Sequence, residues 1–304
     1  PDYPDIEEDK QIAADLRAQR PDLSSISDAA LVARARAVLA YERLTWRGET
    51  VGGVGGSIGP GTLGQLLAGA DPTLVIRLSS NAGDVDSAAP AFAMWELSRM
   101  VSADATLGAE FDKGTEGLLD RLRSSHPEFA AAFDQFLYDY GYRGPSEWDM
   151  GAEVWETKPS LPLAMIERMR MLEDDQSPTA RAAEQHKIFD DAVAEATAFL
   201  GENTEAIAMM EQAIKSTHRF ASFRERGKAN CVRVLHEARM AMFELGRRMA
   251  ERGQLYKSSD IFLALDEELD GLMIDPTYLK DRLKEREVEW KRLFGLDVPM
   301  FIDT

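Results

Sequence analysis

Ser27-Asp-Ala-Ala-Leu-Val-Ala-Arg-Ala-Arg-Ala-Val-Leu-Ala-Tyr-Glu-Arg-Leu-Thr-Trp-Arg-Gly48 is the stretch of sequence that decides the fold class. Serine is favoured at the N-cap of a helix, and glycine commonly ends one. The stretch therefore predicts an amphipathic helix from Asp28 to Arg47 that ends at Gly48. One broad face of this helix carries Leu31, Ala35, Val38, Leu39, Thr45 and Trp46, with Arg and Glu elsewhere.

The same helical spacing returns along most of the chain and predicts a mainly α fold, a multi-helix domain with at most a few short strands. Only Thr73–Leu78 has strand propensity, and its pattern fits a buried helical turn equally well. His126-Pro127 predicts a helix start because proline suits the first helical position, and Gly141 predicts its end. The further predicted helices cover residues 88–101, 115–124, 163–172, 179–200, 204–219, 228–252 and 277–294.

A polar, proline-ended segment, Asp174–Pro178, is the predicted hinge between two halves. Residues 1–175 form a predicted N-terminal helical half, which carries a glycine-rich connection and a Gly-Tyr-Arg-Gly-Pro-Ser-Glu turn. Residues 176–304 form a predicted C-terminal half of long helices. We expect the two halves to make one domain of a larger protein.

The charge balance argues against two classes of partner, nucleic acids and anionic membrane surfaces. Among 304 residues there are 35 Lys and Arg against 53 Asp and Glu, a formal charge of −18. Such a chain disfavours nucleic acid, whose phosphates need a basic face, and disfavours an anionic membrane surface. Cys231 is the only cysteine, so we expect a reducing, cytoplasmic location and a buried thiol in a helix.

A glycine-rich stretch follows the first helix, with six glycines among residues 52–61. Gly59-Pro-Gly-Thr-Leu-Gly64 matches a dinucleotide fingerprint in letters, but that site needs a strand directly before the first glycine. We therefore expect a flexible connection or close helix packing here. The histidines, at 126, 186, 218 and 236, have no ligand at zinc spacing, so no metal site is predicted.

A compact polar turn, Tyr140-Gly-Tyr-Arg-Gly-Pro-Ser-Glu-Trp-Asp149, comes directly after the predicted helix end at Gly141. The guanidinium of Arg143 suits two-point binding of a phosphate or carboxylate. An internal pair between Arg143 and Glu147 that fixes the turn explains the sequence equally well. Both alternatives stay open at the level of sequence.

A basic segment, Arg219-Phe-Ala-Ser-Phe-Arg-Glu-Arg-Gly-Lys228, carries four cations in an acidic chain. If a helix continues through it, Arg224 and Lys228 lie one turn apart on one face. Two such cations can hold an anion or neutralise charge during phosphoryl transfer. The alternative is an ordinary helix surface with salt bridges, and the local reversal of charge favours the anion role.

Several motifs together resemble the central helical domain of rifampicin phosphotransferase-like and phosphoenolpyruvate synthase-like proteins. Gly141–Glu147 followed by Trp155-Glu-Thr-Lys-Pro159 resembles the family's G-H-R-G-x-x-E and R-W-x-E-x-P elements. Arg224–Lys228 resembles R-E-x-x-K, and Ser259–Leu269 resembles D-I-F-Y-L-x-x-x-E-L. The similarity covers roughly residues 75 to 300. Three positions differ from the family pattern: Tyr142 replaces a histidine, Val154 an arginine and Leu263 an aromatic residue.

The resemblance implies a relay of three domains. An ATP-grasp domain cleaves ATP with Mg²⁺, a swivelling domain carries the phosphoryl group on a histidine, and the central domain receives a small hydroxylated acceptor. This chain resembles only the central part, so ATP, Mg²⁺ and the carrier histidine are expected in other domains or subunits, and the chain alone should be inactive.

By the same resemblance, Arg224 and Lys228 are the predicted catalytic cations facing the phosphoryl group. The predicted substrate-binding residues are Tyr142, Arg143, Glu147 and Trp148. An apolar wall for the acceptor is predicted from Trp95, Trp148, Trp155, Met165 and Met169.

Two alternatives remain beside this prediction. One is a non-catalytic helical interaction or regulatory module, and the other is a subunit of a split enzyme similar to phenylphosphate synthase. A complete phosphoenolpyruvate synthase would need a barrel domain, which the sequence does not contain. Because the sequence begins with Pro1 and stops abruptly at Val298-Pro-Met-Phe-Ile-Asp-Thr304, we expect a piece of a longer polypeptide or a separate subunit.

Overall fold

The fold is all-helical throughout the part of the chain that the structure describes. The computed structural model describes residues 4–80 and 88–297, with backbone alone at 4, 5 and 47–49. Three short 3-10 turns, Leu23–Ser25, Asp174–Gln176 and Ser258–Leu263, interrupt the helices. The helices are α1 Pro4–Ala18, α2 Asp28–Gly55, α3 Ile58–Leu66, α4 Leu74–Ser79, α5 Ala89–Ala103, α6 Ala105–Phe111, α7 Leu118–Ser125, α8 Pro127–Tyr140, α9 Ser160–Met169, α10 Pro178–Leu200, α11 Thr204–Glu251, α12 Asp266–Ile274 and α13 Lys280–Phe294.

The predicted mainly α class is confirmed, and residues 4–80 and 88–297 contain no strand. Helix α8 begins at Pro127 and is followed by Gly141, as its sequence signals predict. The ambiguous stretch Thr73–Leu78 is helical as α4, with Leu74 and Leu78 fully buried. Helix α6 was not predicted, although Asp104 caps it by accepting hydrogen bonds from the backbone of Thr106 and Leu107.

Two predicted helix boundaries are wrong, and both are places where a helix continues. Helix α2 runs through Gly48 to Gly55, well past its predicted end. The two helices predicted at 204–219 and 228–252 are one 48-residue helix, α11. The basic segment therefore lies inside a continuous helix. Glycine and charge patterns predicted helix ends near Gly48 and between residues 219 and 228. Tertiary packing outweighs these local preferences and keeps both segments helical.

The chain divides into two compact units, each built from several segments. Unit 1 comprises residues 1–12, 43–148 and 152–233, and unit 2 comprises residues 13–42, 149–151 and 234–304. The division into an N-terminal half, 1–175, and a C-terminal half, 176–304, stays a prediction. Residues 298–304, at the end of the chain, lie outside the described residues.

Unit 1 contains two hydrophobic clusters. In the first, α5 to α9 pack around a line of rings in which Phe111 meets Phe129 edge-on and Phe136 stacks on Trp155, with centroids 5.6 Å apart in both pairs. The second cluster joins α3, α4, α10 and the first part of α11 through Leu63, Leu78, Ala196 and Met210. These clusters fix the ends of α8 and the course of α11, on which the candidate site depends.

The glycine-rich stretch is a close helix contact within unit 1, which is one of the two predicted alternatives. Gly52, Gly55 and Gly59 are buried along one side of α2 and α3. A Cβ at Gly52 would lie 2.6 Å from the Arg224 backbone nitrogen, and one at Gly59 would lie 2.2 Å from Thr217 Oγ1. Only glycine lets the two backbones approach so closely.

Unit 2 is built on one cluster that joins α2, α11, α12 and α13. Its fully buried members include Leu31, Leu245, Leu272 and Leu283. Of the face that the sequence predicted for α2, Leu31, Ala35 and Val38 are buried in this cluster and Leu39 packs against it. Thr45 is buried as well, whereas Trp46 is 43% exposed. The predicted face is thus confirmed except at Trp46.

An acid-sensitive cluster on α11 gives a prediction for unit 2. The side chain of Arg247 donates two 2.8 Å hydrogen bonds to the Glu244 carboxylate and that of Arg248 donates one of 2.7 Å. The hydrogen bonds from Arg247 and Arg248 lower the pKa of Glu244 from 4.5 to about 2, against the opposing effect of partial burial. A lowered pKa stabilises the fold above the unfolded value, and this stability is lost as the pH falls toward the folded value.

We therefore expect Glu244→Gln to destabilise the fold at neutral pH, and the difference from wild type to shrink as the pH falls from about 5 to about 2. Urea unfolding at a series of pH values measures this difference. The same substitution at the exposed Glu285 is the control and should give a small difference that changes little. A Glu244→Gln difference that stays constant over this pH range would contradict the expectation.

Candidate functional site

The turn after α8 is held by backbone hydrogen bonds between the two halves of the family-like motif. The Trp155 N–H donates to the Arg143 carbonyl at 2.9 Å, and the Glu156 N–H donates to the Gly141 carbonyl at 3.0 Å. The Arg143 N–H in turn donates to the Tyr140 carbonyl at 2.9 Å. These bonds join Gly141–Glu147 to the segment that begins at Trp155.

Two glycines and a tryptophan explain why this turn forms here. A Cβ at Gly141 would lie 2.8 Å from Glu156 Cβ, and one at Gly144 would lie 3.0 Å from the Glu153 carbonyl oxygen. Both glycines therefore allow the second segment to pack directly on the first. Trp155 is only 9% exposed and stacks on Phe136 of α8. The hydrophobic core thus holds the turn in place.

Glu147 is the centre of the candidate site. Its carboxylate is buried, with a side-chain exposure of 8%, and its Oε1 lies 3.3 Å from Arg143 Nη1. The same oxygen lies 3.1 Å from Lys228 Nζ, which projects from α11. The predicted Arg143–Glu147 pair is therefore present, and it also contacts one of the two predicted catalytic cations. Two cations on one carboxylate give this cluster a net positive charge.

Arg224, the other predicted catalytic cation, has different surroundings. It lies one turn before Lys228 on the same helix, as the helical spacing predicts. Its side chain is 52% exposed, and its Nη2 lies 2.9 Å from Glu225 Oε1. The backbone of Arg224 is covered by Gly52, whereas its guanidinium faces solvent.

Tyr142 is buried, with 4% of its surface exposed. The guanidinium carbon of Arg143 lies 5.8 Å from the centroid of the Tyr142 ring. A residue not predicted from the sequence, Arg233 of α11, approaches the same ring at 5.0 Å. The turn and the helix are thus linked through this ring as well as through Glu147.

Trp148 lies directly after Glu147 and is 39% exposed. Its ring stacks on that of Trp46 from α2, with centroids 5.4 Å apart and an angle of 27° between the planes. Trp46 is itself 43% exposed. The pair is a partly open aromatic surface next in sequence to the ion cluster.

Most of the other residues predicted for the apolar wall of the acceptor site lie in or against the hydrophobic core. Trp155 belongs to the first cluster of unit 1, and Met169 packs against it. Trp95 is 9% exposed, and the guanidinium of Arg99 lies 4.1 Å from its ring centroid. Met165 is 37% exposed. Trp148 is therefore the member of the predicted wall that combines large aromatic area with exposure.

Within residues 4–80 and 88–297, no group of three or more histidine, cysteine, aspartate or glutamate side chains could hold a metal ion. No helix in these ranges is both long and apolar enough to cross a membrane. The predicted burial of Cys231 is confirmed.

Two residues that contribute to the site, Arg233 and Trp46, were not predicted as site residues from the sequence. Arg233 lies between Val232 and Val234, both fully buried, so a cation in an otherwise apolar stretch was the available signal. The sequence predicted Trp46 on the core face of α2, but its side chain is 43% exposed and its ring stacks on that of Trp148. Both contacts join segments that are distant in sequence, which a helical pattern does not reveal.

Comparison with known families shows which class of protein carries this glycine-bearing turn and long basic helix. Residues 51–225 match the family described as the rifampicin phosphotransferase fourth domain. The match covers more than half of the chain, so the chain belongs to that family. The resemblance stated from the motifs is therefore confirmed.

Similar proteins include an uncharacterized protein of Mycobacterium bovis and uncharacterized proteins of two Mycobacterium tuberculosis strains, CDC 1551 / Oshkosh and H37Rv. Each is 28% identical over 182 residues, which is 60% of this chain and 18% of the relative. The matched region is thus less than a fifth of each relative's length. The family is one of multi-domain phosphotransferases, which implies other domains beside this one.

Proposed function

We propose that this chain is the acceptor-binding domain of an ATP-dependent phosphotransferase of the dikinase type. The phosphoryl group would come from ATP through a phosphohistidine on a swivelling domain and pass to a hydroxylated small molecule. In this step the bond between phosphorus and the histidine nitrogen breaks and the nitrogen keeps the electron pair. The acceptor oxygen bonds to phosphorus, and the proton lost by its hydroxyl ends on the freed histidine ring. The chain's contribution would be to bind the acceptor and neutralise the phosphoryl charge.

The observation that supports this proposal most is the shared ion pair of Glu147. Arg143 comes from one family-like motif and Lys228 from another, and both lie within 3.3 Å of the same carboxylate oxygen. Fixed cations that need no rearrangement are effective at stabilising transferred charge. Glu147 would hold both cations in position before the phosphoryl group arrives.

Arg224 completes the proposed set of cations from the solvent side. Its exposed guanidinium would make the first contact with the phosphohistidine of the swivelling domain. Lys228 would then neutralise the charge of the phosphoryl group during transfer. Among the described residues, the pair that Arg224 forms is with the adjacent Glu225, and the Arg224 side chain is 52% exposed. Exchanging that partner for a phosphate therefore costs little.

The proposed partners are the ATP-grasp and phosphohistidine domains, in the same polypeptide or as separate subunits. ATP and Mg²⁺ would bind to the ATP-grasp domain and not to this chain. A chain that lacks both domains should show no turnover of its own.

The experiment that tests this function is a screen of small alcohols and phenols with the complete protein and ATP. The proposal expects AMP release that depends on the acceptor, together with an equal amount of phosphorylated acceptor. A reading frame without ATP-grasp or histidine-carrier sequence, and no partner subunit that supplies them, would instead support the alternative of a non-catalytic helical module. That alternative agrees with the fact that Glu147 is satisfied within the chain.

The exposed Trp46–Trp148 pair gives a prediction for acceptor binding. If the pair contacts the acceptor in the ground state and the transition state alike, Trp148→Leu should raise KM and leave kcat nearly unchanged. Aromatic contacts of this kind are worth about 0.5–1.5 kcal/mol, so the increase in KM should be about three- to tenfold.

The matched control is Trp290→Leu in α13, because Trp290 is 44% exposed, close to the 39% of Trp148, and its ring packs on that of Phe294. This variant should have the KM of wild type. An unchanged KM in Trp148→Leu, or an equal rise in both variants, would remove the aromatic pair from the acceptor site.

A further inference from the structure

A line of aliphatic side chains is exposed beside the close contact that α2 and α3 make with α11. The exposed fractions are 39% for Val51, 70% for Val54 and 62% for Ile58. Each of these residues directly precedes a glycine that approaches α11, namely Gly52, Gly55 and Gly59. Because the three share the same offset from this contact, their side chains lie in one line along it. We call Val51, Val54 and Ile58 the aliphatic strip.

The segment that carries the aliphatic strip has no charge. Residues 50–70 contain no Asp, Glu, Lys or Arg, although 29% of the chain is charged. The outer face of a helix in a globular protein usually carries charged and polar residues. A partner can therefore cover this segment without removing water from an ion, which is the costly step when charges are buried.

Two glycines of α3 enlarge this surface. Gly61 and Gly64 are exposed, and a Cβ at either would meet nothing within 4 Å. Neither has a positive φ, so neither the backbone nor the packing of the described residues requires glycine here. Glycine inside a helix is less stable than alanine, but it lets another backbone approach closely. Contact with a partner would explain why glycine is present at both positions.

Arg224 connects the aliphatic strip to the candidate site. A Cβ at Gly52 would lie 2.6 Å from the Arg224 backbone nitrogen and 2.9 Å from its Cβ. Val51, the residue before Gly52, thus lies beside the turn of α11 that carries the proposed first cation. The matched segment is 18% of the length of each relative, so most of each relative lies outside it.

The choice of partner follows from the reaction. Of the two proposed partner domains, only the phosphohistidine domain has to bring an atom within bonding distance of the acceptor and then leave again. Its docking surface must therefore lie beside the cations. A surface without charges suits repeated binding and release, because no buried ion pair has to form and break in each cycle.

We propose that the aliphatic strip is the docking surface for the phosphohistidine domain of the complete protein. This inference rests on the proposed function and extends it, because it assigns a role to the glycine-rich segment outside the family-like motifs. The surface of the partner should be apolar and uncharged. Its backbone or small side chains would pack against Gly61 and Gly64, with the phosphohistidine directed toward Arg224.

Photo-crosslinking tests this contact without turnover. Benzoylphenylalanine replaces Ile58 in the complete protein, which is incubated with ATP in the absence of acceptor and irradiated. Mass spectrometry of the crosslinked peptides should identify the domain that carries the phosphorylated histidine. The matched control has the same replacement at Ile76 of α4, which is 70% exposed. Crosslinks to another domain or a second copy alone, or a yield no higher than at Ile76, would overturn the inference.

A charge placed on the strip tests the same contact by its effect on the rate. Ile58→Glu should leave labelling of the carrier histidine by ATP unchanged and slow transfer of the label to the acceptor by about tenfold or more, since docking would bury an unpaired carboxylate. Ile58 is the first residue of α3, where an acid favours the helix, so the variant should fold. Ile76→Glu is the control and should transfer at the wild-type rate.

Gly61→Glu keeps the inference testable if Ile58→Glu does not fold, because its side chain meets no atom of the described residues near Cβ. It should slow transfer by a similar factor. Wild-type transfer in the folded variants, or an equal loss in Ile76→Glu, would overturn the inference.

The outcome is separable from that of the proposed function. If acceptor-dependent AMP release is present but the crosslinks lie elsewhere and the variants transfer normally, only this inference fails. If the crosslinks reach the phosphohistidine domain but no acceptor supports AMP release, the proposed function fails and the docking surface stands.

Discussion

Lys228→Met in the complete protein is expected to lower acceptor-dependent AMP release by about 100- to 1,000-fold, the usual cost of removing one preorganised group that stabilises transition-state charge. Methionine keeps most of the length and the apolar stem of lysine but removes the ammonium group that lies 3.1 Å from Glu147. Because the lost contact would matter mainly in the transition state, kcat should fall and the KM for the acceptor should change little.

Lys187→Met is the matched control for this variant. Lys187 lies on α10 with 80% of its side chain exposed, and its ammonium is 3.6 Å from Asp191, a pair that contributes little at the surface. This control should retain wild-type activity. Arg224→Ala should lower the rate by about tenfold, because its group is exposed and screened by solvent. Wild-type AMP release in both Arg224→Ala and Lys228→Ala would remove the basic pair from the mechanism.

Gly52→Ala and Gly53→Ala are expected to change stability in opposite directions, although the two glycines are neighbours in α2. A Cβ at Gly52 would lie 2.6 Å from the nitrogen and 2.7 Å from the Cα of Arg224, so the backbone of α11 would have to move. Overpacking of this kind costs about 1–3 kcal/mol. A Cβ at Gly53 meets nothing within 4 Å, so alanine there should stabilise the helix by about 0.5–1 kcal/mol.

Urea unfolding of the two variants, followed by circular dichroism, measures this difference. Gly53→Ala is the control for the effect of alanine on helix propensity, since both positions lie in the same helix. If both variants were stabilised, α2 would not approach α11 at Gly52. Gly52→Ala should also lower activity in the complete protein, because it displaces the backbone that carries Arg224.

The sequence predicts those parts of the fold that local chemistry determines. His126-Pro127 and Gly141 define α8 because a proline start and a glycine end act within one turn of helix. The continuation of α2 through Gly48 was not predictable in this way. Glycine ends an isolated helix readily, whereas here Gly52, Gly55 and Gly59 are needed for close contact with α11. A glycine-rich pattern does not distinguish these two uses.

The candidate site was predictable in part for the same reason. The Arg143–Glu147 pair lies within one short turn, so it was one of two alternatives from sequence. The contact of Lys228 with Glu147 and that of Arg233 with Tyr142 depend on how α11 packs against the turn. The family pattern identified Lys228, but only the coordinates show that it shares an acid with Arg143.

Following a labelled phosphoryl group tests most directly whether Lys228 assists its transfer from the carrier histidine to the acceptor. The complete protein is first incubated with radiolabelled ATP. An acceptor that supports turnover is then added. The account predicts that wild type and Lys228→Met both become labelled on the carrier histidine, and that only wild type transfers the label to the acceptor rapidly. If Lys228→Met transfers its label to the acceptor as fast as wild type does, the Lys228 ammonium does not assist phosphoryl transfer, and the proposed role of this site is contradicted.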